Sequence, residues 1–140
     1  MPYCALLERT VPLSRARVFA RLVDFGDVAK LAPDEVESVE LEGDGIGSVR
    51  TVRVKGVPGP LQERLEAAID GRMMSYSIIN ETPLPFVAYH AVVELADAPN
   101  GGCTIRWGSN WIAKGASEDD VRNLVTGLYA RLIDGIVKLG

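Results

Sequence analysis

Two charged residues stand where strand alternation places apolar neighbours. In the run 48–55 the better inward set is Arg50, Val52 and Val54, and in 61–69 it is Leu61, Glu63, Leu65, Ala67 and Ile69. The KGVPGP turn separates the two runs, so a hairpin would set Arg50 and Glu63 across from one another. A buried lone charge is very costly, whereas a pair is tolerated. The two residues form either a structural ion pair at one end of a sheet or a polar point that meets a ligand. In the second case Glu63 is a candidate acid or base and Arg50 a group that stabilises an enolate or carboxylate. Tyr76 and Tyr89 are then candidate proton donors.

Other chemistry-bearing residues are sparse. The one histidine, His90, has the opposite parity to Tyr89 and faces away from it, so no Ser–His–Asp or Cys–His arrangement is built. Cys4 and Cys103 lie far apart and in no CxxC pairing, which predicts two reduced thiols and neither a disulfide framework nor a zinc site. No metal and no cofactor is expected. The stretch EGDGIGSVRTVRV (42–54) carries glycines at alternate positions, as phosphate-cradling loops do. Those loops lead into a helix, whose N-terminus faces the phosphate. Here a strand follows and no P-loop lysine does, so a hairpin turn is expected.

Composition narrows the class. The chain has 140 residues, 47% of them hydrophobic, with net charge −4 and a pI near 5. One domain over residues 1–140 is expected. An acidic chain is a poor partner for nucleic acid, which asks for a basic face. No apolar run approaches the ~18 residues of a membrane span, and no leader pattern opens the chain. A cytoplasmic monomer or homodimer, without stable membrane insertion, is the expectation.

The elements that must position these residues follow from periodicity. Tyr3 to Leu13 reads as a strand closed near Pro12. Ser14 is a helix N-cap, with Ala16, Phe19, Ala20 and Val23 at helical spacing behind it. A second short helix runs from Asp27 to Leu31 and stops before Pro33. Six alternating runs follow, at about 36–42, 48–55, 61–69, 73–80, 86–96 and 103–113, with turn signals between them. No crossover helix intervenes, so the sheet is antiparallel. Ser117 then opens a capping box, and Val121, Leu124, Val125, Leu128, Leu132, Ile136 and Leu139 mark a long amphipathic helix. The sheet and this helix each have one apolar face to bury against the other.

Parity gives the rest of the inner face: Met74, Tyr76 and Ile78; Val87, Tyr89, Ala91, Val93 and Leu95; Ile105, Trp107, Ser109 and Trp111. Aromatic groups with polar tips suit an apolar cavity with a few hydrogen-bonding points. They also suit a solid core whose polar tips are satisfied internally, and alternation does not choose between the two. The turns at Gly56–Pro60 and Pro83-Leu84-Pro85 could gate one cavity mouth or be rigid hairpin connections.

The stretches SRARVFARLVDFGDVAKLAP, EGDGIGSVR, YSIINE and DAPNGGCTIRWGSNW, with the terminal helix, resemble the START-related helix-grip superfamily. This group, also called SRPBCC, includes polyketide cyclase/dehydrase and lipid transport-like proteins and the birch-pollen-allergen-like proteins. The resemblance covers essentially the whole chain. It implies an α+β helix-grip fold: a curved seven-stranded antiparallel sheet wrapped around a long C-terminal helix, with two short helices after the first strand. It also implies a cavity between sheet and helix for a hydrophobic, ring-containing small molecule such as a lipid or polyketide. Arg50, Glu63, Met74, Tyr76, Tyr89, Ala91, Trp107, Ser109 and Trp111 fall on its cavity positions. Val52, Val54, Leu65 and Ile78 join them by strand parity, and Val125, Leu128 and Leu132 by helical spacing. An enzyme of the cyclase/aromatase type is the alternative, with no catalytic set to carry over.

Overall fold

The computed structural model describes residues 2–140. Strand β1 (Ala5–Val11) leads into helix α1 (Arg15–Val23), a short 3₁₀ turn (Phe25–Asp27) and helix α2 (Val28–Leu31). Strands β2 (Val36–Glu42), β3 (Val49–Val54), β4 (Leu61–Ile69), β5 (Met73–Ile78), β6 (Phe86–Asp97) and β7 (Cys103–Ala113) follow, then helix α3 (Glu118–Leu139). The seven strands make one antiparallel sheet in the order β1-β7-β6-β5-β4-β3-β2. This is the helix-grip fold. The first strand is shorter than the Tyr3–Leu13 expected from the sequence.

Local chemistry starts both longer helices. The Arg17 amide donates to Ser14 Oγ, and the Asp120 amide donates to Ser117 Oγ at 3.0 Å. Glu118, Asp119 and Asp120 crowd the first turn of α3, where the helix dipole favours negative charge. The glycine stretch is a hairpin connection between β2 and β3. Gly43, Gly45 and Gly47 all have positive φ, which a Cβ would oppose, and Gly47 N–H donates to Leu65 O.

Three face assignments are corrected by the structure. In α1 the buried residues are Val18 and Leu22, whereas Ala16 and Ala20 are exposed. In β4 the register shifts between Leu65 and Ala67, so Ala68 pairs with the buried Met74 and Ile69 turns outward, 56% exposed. In β6 it shifts between Val87 and His90, around Ala88, whose φ of 56° is left-handed. Val87 therefore faces out, while Phe86 and Tyr89, three residues apart, both face in. A regular strand would put them on opposite faces.

Helix α3 lies along the inner face. Val121, Val125, Tyr129, Leu132, Ile133 and Ile136 are buried, whereas the expected Leu124, Leu128 and Leu139 are 36–47% exposed. Both of its ends are held. At the first turns, Arg122 Nε donates to Cys4 O at 2.8 Å. Near the other end, Gly135 passes so close to α2 that a Cβ there would lie 1.9 Å from Leu31 O.

Candidate functional site

Between the held ends of α3, the helix and the sheet stand apart. The gap is a cavity of about 200 Å³. Its floor is the inner face of β3–β6: Arg50, Val52, Val54, Leu61, Glu63, Tyr76, Ile78, Phe86 and Tyr89. Leu124, Val125, Leu128, Arg131 and Leu132 of α3 roof it. Val28, Ala32, Glu35 and Val36 close one side, with Val57 and Leu84 from two turns. The half-exposed lining residues mark the mouth. There Arg131 Nε meets Glu35 Oε1 at 2.9 Å, tying α3 to the turn before β2.

The polar part of the wall is built on one rung of the sheet. Arg50 and Glu63 are cross-strand partners, and Arg50 Nε donates to Glu63 Oε1 at 2.8 Å. Their side chains are 7% and 13% exposed. Arg50 Nη1 donates to Phe25 O at 3.2 Å. The guanidinium carbon sits 3.8 Å from the Phe25 ring centre and 5.3 Å from that of Tyr76. A planar, weakly hydrated cation is suited to such stacking.

Beyond the ion pair the hydroxyls form a chain. Trp107 Nε1 donates to the Tyr76 hydroxyl at 3.2 Å. The Tyr76 and Tyr89 hydroxyls are 3.5 Å apart, and that of Tyr89 is hydrogen-bonded to Tyr129. Burial is the main reason all three phenols are hard to ionise. Tyr76 is pushed up to about 12, with the Glu63 charge as second cause. Tyr89 lies well above the ordinary value, and Tyr129 is raised as well. Near neutral pH these groups donate and accept hydrogen bonds as neutral phenols and do not serve as bases.

This has a measurable consequence. A folded-state pKa above the unfolded one makes a stabilising contribution that is complete below about pH 10 and is lost as pH rises through the folded pKa. Of the four tyrosines, only Tyr3, raised by partial burial and then by Glu94, is accessible. Absorbance titration is expected to show one phenol ionising in the folded protein and the other three ionising in step with loss of circular dichroism. Four phenols titrating smoothly while the fold persists would contradict it.

The structure divides the sequence-predicted set. Arg50, Val52, Val54, Glu63, Tyr76, Ile78, Tyr89, Val125, Leu128 and Leu132 line the cavity. Leu65, Met74, Ala91, Trp107, Ser109 and Trp111 do not, and are packed in the core. Over part of that face the space is taken by Tyr129, whose ring stacks on Trp107 at 5.0 Å and whose hydroxyl is hydrogen-bonded to that of Tyr89. Parity puts a residue on the inner face; it does not say whether anything sits above it. The missed lining residues are Val28, Ala32, Glu35 and Val36 around α2 and the start of β2, Val57 and Leu84 from turns, Leu61 at the start of β4, and Leu124 and Arg131 from the body of α3. Phe86 was hidden by the β6 bulge. Tyr129 had a readable signal, since Val121, Val125, Tyr129 and Ile133 recur at four-residue steps.

His90 lies on the outer face of the sheet, where its Nδ1 is 2.7 Å from Ser77 Oγ. Among the described residues, no group of three or more His, Cys, Asp and Glu side chains is placed to hold a metal ion. No helix among them is long and apolar enough to cross a membrane.

Residues 7–139 match the family described as polyketide cyclase / dehydrase and lipid transport. No curated protein matches the chain in sequence. Solved structures share the fold. An uncharacterized protein from Bacillus thuringiensis superposes with a TM-score of 0.81 at 22% identity, over 96% of each chain. XoxI from Bacillus cereus gives 0.80 at 21%, covering 96% of this chain and 94% of its own. Ara h 8.0201 gives 0.80 at 24%, with the same coverage. At these identities the likeness carries the fold alone.

Proposed function

The chain belongs to the polyketide cyclase/dehydrase and lipid transport family, and from that premise we propose that it is a single-domain carrier for a hydrophobic, ring-containing small molecule. The observation that supports this best is the cavity: apolar on nearly every side, with one polar rung at Arg50 and Glu63. Few, convergent polar groups in an apolar hollow are the usual make-up of a ligand site. The volume is below the range of about 300–1,000 Å³ common for such sites, which favours a compact ring system over a sterol.

Native mass spectrometry beside the denatured mass tests the proposal on the purified protein, and a titration with a neutral naphthylamine probe complements it. A co-purifying apolar molecule, or saturable probe binding that Leu128→Trp weakens at least tenfold, is expected. Leu128 is at the mouth and partly exposed, so the larger ring blocks the cavity without disturbing the core. Probe binding that is unaffected by Leu128→Trp would place the ligand elsewhere.

A second reading, an enzyme of the cyclase/aromatase type, draws on one observation: Arg50, Glu63, Tyr76 and Tyr89 all border the same cavity. In that reading Glu63 moves the proton, Arg50 stabilises developing negative charge, and the protonated phenols donate hydrogen bonds. Undiminished turnover by Glu63→Gln would remove that role.

A further inference from the structure

Four charged residues line the cavity, and they cancel. Arg50 is held by Glu63 on the floor, and Arg131 by Glu35 at the mouth. The remaining lining is apolar apart from the hydroxyls of Tyr76 and Tyr89. Yet the floor pair is not saturated. Arg50 spends Nε on Glu63 and Nη1 on Phe25 O, which leaves Nη2 without a protein partner among the described residues. Glu63 accepts through Oε1 alone, which leaves Oε2 free to accept. The rung therefore offers unused guanidinium donors, Nη2 among them, and a free carboxylate oxygen, with no net charge.

That arrangement discriminates by charge. A carboxylate entering the cavity loses its hydration and finds no surplus positive charge to replace it. Its negative charge would also stand beside that of Glu63, and Arg50 can neutralise only one of the two carboxylates. A neutral oxygen has no such conflict. A carbonyl can accept from Arg50 Nη2, and a hydroxyl can also donate to Glu63 Oε2, with the ion pair left intact.

We propose that the cavity selects uncharged ligands, an apolar body bearing one carbonyl or hydroxyl oxygen, against carboxylates of the same skeleton. The proposal rests on the ligand-binding reading above and names its chemical class. It extends to the residue that enforces the choice: Glu63 excludes anions by neutralising Arg50.

The test is a calorimetric titration at about pH 7 of the native protein with 2-naphthol, neutral there, and with 2-naphthoate, anionic there. The naphthol is expected to bind at least tenfold tighter. In Glu63→Gln, Arg50 keeps its charge without a counter-charge, so the naphthoate is expected to gain at least tenfold and the preference to narrow or invert. Equal or tighter naphthoate binding by the native protein, with the naphthylamine probe still bound, would overturn the charge selection and leave the carrier reading in place. Failure of all three compounds to bind would overturn both. Should Glu63→Gln not fold, the native comparison alone decides.

Discussion

Replacing Arg50 by methionine is expected to lower stability by about 3–5 kcal/mol, the range for removing one partner of a buried ion pair. The loss has identifiable parts. Glu63 is left as an uncompensated carboxylate in a largely apolar wall, Phe25 O loses its donor, and the stack on Phe25 and Tyr76 is broken. The double variant Arg50→Met with Glu63→Leu is expected to recover much of that loss, because replacing both charges by apolar groups of similar volume is often neutral or better. Denaturant unfolding of the native protein, the two single variants and the double variant closes the cycle. A coupling of at least about 2 kcal/mol between the sites is the expected result. Simple additivity would mean that the pair is already hydrated through the cavity and contributes little.

The second large effect reverses a common rule. Alanine in place of glycine inside a helix normally stabilises by about 0.5–1 kcal/mol. Gly127→Ala is expected to follow that rule, since its Cβ would meet nothing closer than Arg131 Nη1 at 3.5 Å. Gly135→Ala, two turns further along the same helix, is expected to destabilise by about 3 kcal/mol, the upper end of the usual cost of overpacking. Its Cβ would fall 1.9 Å from Leu31 O and 2.6 Å from Leu31 C, which are backbone atoms with no rotamer to move. Separating α2 from α3 is the only relief, and Val28 and Ala32 of the cavity side would shift with it. Thermal melts of the two variants should move in opposite directions, Gly135→Ala by about −10 °C. A shift of the same sign in both would show that the α2–α3 contact is soft.

Much of this architecture was legible in the chain because its signals are local. Ser14 and Ser117 mark helix starts by what their hydroxyls can accept, and turn residues between alternating runs mark hairpins. The rung of Arg50 and Glu63 was legible for the same reason: a short turn fixes which residues face each other. What stayed hidden depends on single-residue irregularities and on filling. The shift at Ala88 reverses the parity of Val87 and brings Phe86 into the cavity. The shift after Leu65 does the same to Ile69. Whether Trp107 borders a hollow or a packed core was decided by Tyr129, on a different element about twenty residues away in sequence. Periodicity carries no information on that.

The two fastenings of α3 also bear on how a ligand would pass under the proposed carrier function. A helix fastened at Arg122 to Cys4 O and packed at Gly135 against Leu31 is a rafter tied at both ends. For the proposed carrier, the way in would then be the side of the cavity lined by Val57 and Leu84 of two proline-bearing turns and by the Glu35–Arg131 ion pair. How tightly such a carrier held a guest would then be a property of the sheet beneath it. How long a guest waited to enter or leave would be a property of that doorway, and the two could change independently.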